Sequence, residues 1–476
     1  MKKLLYLLPS SWNYDGCGAM IDDILKHSLD AGNEIFVIVC GRCVNYCYQN
    51  LYGNKLECAI CTSRQLIDLR FITGKKNIRI LRLSSWKQKV KGSTIRFHFS
   101  GVDELKNLKF HGVQIGRAAL SCYVSRTRNI NPLFSKDFVA LISKLLLAQT
   151  QTIFCLEAMI KELSPTIVYV HNFRFVESRP LYELALNNHI DFVCCEQALN
   201  YKGEEVKDFY FNSTPHGILH QTKKIKEMWE NSDVAVRVNG GKMFFNNRKN
   251  AKKAGDKIYV ANQVVNLLPK EFDYSKYNIA IFNSSEDEYC SVSEEYESYS
   301  LFSSQFEGIK FIFEHYKNDK TKHFYLRVHP NLKNVNFKYH TELYTSFNGY
   351  DNVSIIRADS PISSYSLLDH SNLVIVFGST IGAEASYWNK PVINLAGAFY
   401  SCLDITYAPK SIKELLDMIN DMNLAPIRNE NVLKFGYYYY NDYREKAKYY
   451  DFRPYHLFNR DAYSCRQSKF FNSRML

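Results

Sequence analysis

The sequence has no run of about 18 apolar residues, the length a helix needs to cross a bilayer, so its hydropathy gives no membrane span. It also lacks a recognisable nucleic-acid motif, and its basic residues are dispersed along the chain. The net charge of +12 therefore points to anionic lipid headgroups, a lipid diphosphate or simply a basic surface. Met1-Lys2-Lys3 and the LLYLLP that follows have too short an apolar run for a signal core and no small-residue cleavage site. They read as a first strand, and the expected location is cytoplasmic, with contact to the inner face of the membrane as an extension. With 46% hydrophobic and 23% charged residues, the composition is that of an ordinary globular protein. A chain of 476 residues is too long for one core and suits two domains.

The stretch 371–395, SNLVIVFGSTIGAEASYWNKPVINL, organises the rest. Residues 373–377 form an apolar, β-branched run, the pattern of a strand buried on both faces of a parallel sheet. Gly378, Ser379 and Thr380 interrupt it, a short helix is expected over 381–388, and a further strand starts at Pro391. Small residues at such a turn allow close backbone approach, and a helix N-terminus offers unpaired N–H groups to an anion. Glu384 lies one turn in, placed to accept from sugar hydroxyls; a plain capped turn with a solvated Glu384 is the alternative. Upstream, the buried run 324–328 contains Arg327 and ends in His329-Pro330-Asn331. A histidine at the carboxyl end of a strand faces the crevice where open α/β sheets bind ligands.

LRVHPN together with SPISSYSLLDHSNLVIVFGSTIGAEASYWNKPVI resembles the C-terminal domain of bacterial capsule and surface-polysaccharide glycosyltransferases. The resemblance is strongest over 278–400. It implies an α/β, GT-B-like fold, two Rossmann-like domains facing a central cleft that takes a nucleotide-sugar. Sugar-nucleotide 2-epimerases of the same fold share the His-Pro and the small-residue loop followed by Glu. The resemblance also implies a donor set of Ser284, Ser285, Arg327, His329, Ser363, Ser364, Tyr365, Gly378, Ser379, Thr380 and Glu384, with the 363–365 loop against the nucleotide base.

The loop after the first strand, SSWNYDGCG, carries Gly16 and Gly18 before a helix, with Asp15 as a candidate base. Cys40, Cys43, Cys47, Cys58 and Cys61 follow within 22 residues. Two CxxC pairs at this separation can enclose a tetrahedral structural zinc; an iron–sulfur cluster would use the same ligands, and inert buried cysteines are the alternative. Gly112 and Gly116 precede an amphipathic helix over 136–163. On the acceptor side, polar residues follow the expected strand ends: Asn172, Arg174 and Glu177 after 166–170, Glu196 after 191–195, and His216 in a later loop. Glu196 is the preferred general base, with Asp15 and His329 as the other catalytic candidates. Residues 239–256 read as a surface excursion or linker before the domain boundary.

The expected organisation is an acceptor-side domain over 1–275, a nucleotide-sugar domain over 276–430 and a helical tail over 431–476. The tail would cross back to the first domain or rest its tyrosines on a membrane interface. In the loop 283–288 the small Ser284 and Ser285 and the backbone N–H groups are expected to hold the donor's phosphate or the transferred sugar, in preference to Glu286-Asp287-Glu288 as an acidic metal motif; a capping box of Ser285 with Glu288 is the further alternative. The expected function is transfer of a sugar from a nucleotide donor to a glycan or lipid-linked glycan, with no cofactor for catalysis. The alternatives are a 2-epimerase and a non-catalytic glycan-binding or assembly subunit.

Overall fold

The computed structural model describes residues 2–8, 14–87, 95–199, 205–252, 260, 262–334, 344–441 and 444–449. Two sheets organise them. The first contains β1 (Lys2–Leu8), β2 (Asn33–Val39), β3 (Ile78–Arg82), β4 (Ile167–His171), β5 (Asp191–Leu199) and β6 (Glu205–Phe211). The second contains β7 (Tyr277–Phe282), β8 (Lys322–Arg327), β9 (Val353–Ile356), β10 (Leu373–Val376) and β11 (Val392–Asn394). A last short strand, β12 (Glu445–Lys446), returns to the first sheet.

The first sheet runs β12-β6-β5-β4-β1-β2-β3, parallel from β5 to β3 and antiparallel at β6 and β12. The second runs β11-β10-β7-β8-β9, parallel throughout. Every residue of β7, β8 and β10 is buried, because helices cover both faces of a parallel sheet; the centres of the strands are apolar, and the charged Lys322 and Arg327 lie at the two ends of β8. This is the expected GT-B-like pair of Rossmann-like lobes. In the first lobe the helix Lys136–Leu163, capped by the Ser135 side chain, buries Ile142, Leu145, Leu146, Ile153 and Leu156 completely. Its length and apolar content would also suit a bilayer crossing, but here that face fills the core.

The lobes are joined by more than the connecting chain. The segment after β7 reaches back, and Val292 sits fully buried in the core of the first lobe. Arg179 donates to the Val292 carbonyl at 2.7 Å, and Ser121 and Ser291 exchange hydroxyl–carbonyl bonds with Ser291 and Arg117 at 3.0 and 3.1 Å.

Residues 239–256, expected as a linker, instead lie largely in the helix Val234–Lys249, whose N-terminus is capped by Asp233. Its glycines allow the helix Asn431–Tyr440 to approach: a Cβ on Gly240 would lie 2.8 Å from the Tyr437 ring, and one on Gly241 2.7 Å from the Leu433 carbonyl. Tertiary contact outweighs the poor helix propensity of Asn-Gly-Gly. Phe435, Tyr437 and Tyr438 are buried in this packing, so these tail aromatics are core and are not available to a membrane. Tyr438 donates to Gln221 at 2.9 Å, and β12 pairs with β6, which ties residues 431–441 and 444–449 to the first lobe; the rest of the expected tail, 450–476, lies outside the described residues.

Candidate functional site

The register of the second sheet brings three strand ends level. Phe282 at the end of β7 lies beside Arg327 of β8 and Val376 of β10. Beyond these tips is a cleft of about 550 Å³. Its walls include Arg327 and His329 from β8 and the turn after it, Ser379, Thr380 and Glu384 after β10, Ser364 and Tyr365, and Arg248 from the helix Val234–Lys249. The sequence-expected donor residues of β8, of the 364–365 segment and of the 378–384 turn are thus brought together.

The turn after β10 needs glycine. Gly378 has φ of +73°, and a Cβ there would lie 2.3 Å from the Gly397 carbonyl. Gly378→Ala is expected to cost about 1–3 kcal/mol in thermal unfolding, since both the backbone region and the space are wrong for a side chain. Tyr400 donates to the Ser379 carbonyl at 2.6 Å and fixes the turn from behind. Thr380 caps the helix Ile381–Tyr387 by position only, without a side-chain bond to the helix.

Arg327 is buried, and its guanidinium donates to the carbonyls of Arg357 at 3.0 Å and Ser360 at 3.1 Å. Its Nε–H is buried with no partner among the described residues. Burial lowers its pKa to about 10, which leaves it protonated at neutral pH. An unpaired N–H on a buried cation is costly, and Arg327 is a cleft residue whose charge favours an anionic group there. His329 is fixed by its own N–H donating to Asn283 Oδ1 at 2.7 Å, and its Nδ1 accepts from the Asn331 N–H at 3.2 Å. The ring proton of the neutral form is therefore on Nε2. Burial, then Arg327, lowers the pKa of His329 to about 4, so its ring is neutral at neutral pH and adds no positive charge to the cleft.

Glu384 is buried and already engaged. Its Oε1 accepts from Arg248 Nε at 2.9 Å and its Oε2 from the Tyr365 hydroxyl. Burial and the neighbouring carboxylate raise the Tyr365 pKa, which keeps the hydroxyl a donor. A carboxylate has about four acceptor directions, so two internal donors leave room for a sugar hydroxyl. Arg248, Gln263 and Asn283 are cleft residues that sequence reading missed. The paired glycines of the Val234–Lys249 helix were the available signal for Arg248, since they mark a close helix contact that ends beside the cleft.

Several expected residues lie elsewhere. Ser284 exchanges two bonds with the Gln305 side chain, at 2.9 and 2.7 Å, and lines a neighbouring cavity instead. Ser285 Oγ accepts from Asn331 Nδ2 at 3.0 Å, and the short 3-10 turn Glu286–Glu288 has no side-chain cap, so no capping box forms. Ser363 is the N-cap of the helix Ser364–His370, accepting from the Ser366 N–H at 3.1 Å. The acidic triplet is divided: Asp287 pairs with Arg128, and Glu288 accepts from Asn331 at 3.1 Å.

On the first lobe, Gly16 and Gly18 fall inside the helix Tyr14–His27 and not in a loop before it; the Asp15 side chain lies outside the described residues. Glu196 sits within β5, paired with Asp208 of β6 and 3.9 Å from His171 Nε2, because the strand continues to Leu199. Glu177 turns to the Tyr48 N–H at 3.1 Å, and burial raises its pKa to about 7. Asn172 adopts φ of +40° and accepts from the Arg174 N–H at 3.3 Å. Arg174 reaches across to the Glu288 carbonyl, and the His216 ring lies 6.2 Å from that of Tyr289, so these two meet the second lobe.

The five cysteines do not form the expected zinc site: among the described residues no group of three or more His, Cys, Asp or Glu is placed to hold a metal ion. Cys58 and Cys61 lie on the helix Lys55–Leu69 and not in a CxxC knuckle. Cys43 is buried in the apolar core, with Cys40 and Cys47 packed against it. Burial raises the Cys40 thiol to about 11, so it is protonated at neutral pH.

These buried groups set an expected stability profile. Burial lowers His171 to about 4 and His216 to about 3, alongside His329, and raises Glu286 to about 7, alongside Glu177. Below their ordinary pKa of 6.5 the three histidines hold more protons when unfolded, so their contribution to stability increases with pH up to that point. The two glutamates hold more protons when folded, so theirs falls as pH rises from 4.5 to about 7. Three opposing two gives a thermal midpoint expected to peak near about pH 6.5, which a pH series of unfolding scans would check.

Residues 296–443 match the family model of capsule polysaccharide biosynthesis proteins. This segment carries β8, β10 and the 378–384 turn, and the match bears out the resemblance read from those residues. No curated sequence relative matches the chain. Among solved structures, the KpsC beta Kdo 2,4 transferase of Thermosulfurimonas dismutans is similar at 12% identity and TM-score 0.35, over 58% of this chain and 79% of that one. The S. aureus MnaA–UDP co-structure is similar at 11% identity and TM-score 0.27, over 98% and 97%. The Neisseria meningitidis UDP-GlcNAc 2-epimerase bound to UDP-GlcNAc is similar at 13% identity and TM-score 0.26, over 91% and 98%.

Proposed function

We propose that this protein is a glycosyltransferase of capsule or related surface-polysaccharide synthesis, taking its sugar from a nucleotide-sugar donor bound in the cleft beyond β7, β8 and β10. The observation that carries this reading is Arg327, a cleft residue whose buried Nε–H has no partner among the described residues, beside a glycine turn and an anchored carboxylate. The donor's diphosphate would take the Arg327 N–H and approach the backbone at Gly378, Ser379 and Thr380, and the nucleoside would meet Ser364, Tyr365 and Glu384. As the sugar leaves, negative charge gathers on the diphosphate, and fixed donors facing it lower the barrier most. Arg327 and the His329 Nε2–H supply them, so a divalent ion is not required. The acceptor hydroxyl would enter from the first lobe, with Glu196 as the base that takes its proton.

A thermal-shift and calorimetric panel of UDP, CDP, GDP and CMP sugars tests this directly. At least one is expected to bind, and turnover with its acceptor is expected to persist in EDTA. Failure of every nucleotide sugar to bind would leave a non-catalytic subunit as the better description. Conversion of a UDP-sugar without acceptor would make the protein an epimerase.

A further inference from the structure

The helix Lys55–Leu69 has a buried face and an unusual outer one. Inward, Leu69 packs in the core, and Gln65 donates to the Leu8 carbonyl at 2.7 Å, which ties the helix to the carboxyl end of β1. Outward, Leu56 is 66% exposed, Leu66 54%, Ile67 45%, and Phe71 just beyond the helix 40%. Leu56, Ile60 and Ile67 follow helical spacing, so these side chains form a stripe and not scattered exposures. Residues 55–76 carry five basic side chains (Lys55, Arg64, Arg70, Lys75 and Lys76) against Glu57 and Asp68.

An open groove adjoins the stripe, walled by Leu66, Leu69 and Ile80 with Arg42 and Arg82 at its edge. Both arginines are exposed, and neither is paired with a carboxylate among the described residues, whereas nearby Arg79 is held by Glu34 at 2.6 Å. Apolar side chains rimmed by unpaired cations match one kind of surface, a bilayer rich in anionic phospholipid. A second copy of the chain fits less well, because two such basic faces would repel.

We propose that this face docks the protein on an anionic membrane, with Leu56, Leu66, Ile67 and Phe71 entering the boundary between headgroups and acyl chains and Arg42 and Arg82 meeting lipid phosphates. Docking does not depend on the donor reading. Its consequence does: the carboxyl end of the first sheet, where an acceptor would enter, is brought beside the lipid.

The test is sedimentation of the full chain with phosphatidylcholine vesicles, with and without phosphatidylglycerol. Binding is expected only with phosphatidylglycerol, weakening as salt rises. The double variant Leu66→Glu/Ile67→Glu is expected to lower partitioning by about tenfold or more, and Lys75→Glu/Lys76→Glu by about fivefold per position. Leu56→Glu provides an independent test at the other end of the stripe. Leu56, Leu66, Ile67 and Lys76 are exposed and Lys75 is half-buried, so unchanged thermal midpoints and unchanged nucleotide-sugar binding are expected. No partitioning to either vesicle, or partitioning that survives the Leu66, Ile67 and Leu56 variants, overturns the proposal. So does a dimer in light scattering that those variants split, since a second copy would then cover the face.

Discussion

Arg327→Lys is expected to lower kcat/KM for sugar transfer by about a hundredfold, while the unliganded protein still folds. Lysine keeps the charge but not the geometry. The arginine gives two N–H groups to the Arg357 and Ser360 carbonyls and still has its Nε–H without a partner among the described residues. An ammonium on a flexible stem cannot satisfy both carbonyls and also present a fixed donor to a diphosphate. Most of the loss should fall on kcat, because charge on the leaving group grows in the transition state. Steady-state kinetics with the donor identified by the binding panel would decide it. A variant with unaltered kcat and KM would remove Arg327 from the site, and with it the main support for the proposed chemistry.

Glu384→Leu should produce the largest loss of stability, about 3–5 kcal/mol, because it leaves Arg248 as a nearly buried cation without its carboxylate and the Tyr365 hydroxyl without its acceptor. Donor binding should disappear as well. The two effects can be separated by adding Arg248→Met. The double variant is expected to recover most of the stability, since removing both members of a buried pair is often nearly neutral. It should not recover donor binding. Full recovery of binding in the double variant would mean that Glu384 serves only the fold.

The strand ends of the second lobe were the legible part of this chain. Apolar β-branched runs followed by Arg-Val-His-Pro or Gly-Ser-Thr leave few choices for secondary structure, and a parallel sheet then places their ends side by side. Positions set by packing were not legible. Cys58 and Cys61 look like half of a metal knuckle, but three-residue spacing is equally at home on a helix, and nothing local distinguishes the two. Glu196 was read as a strand-end residue because the apolar run stops at Cys195. The strand continues because β6 pairs with it through Leu199. Arg248 was hidden most completely. It reaches Glu384 only because glycines within a helix accept the tyrosines of another helix almost two hundred residues later, a contact that no local window contains.

Val292 has a practical consequence. A residue that belongs to the second half by sequence and to the first half by packing leaves no clean place to divide the chain between residues 211 and 292. Separately expressed halves would each carry an uncovered apolar surface. Neither should behave as a soluble unit, so ligand mapping on this protein calls for the intact polypeptide.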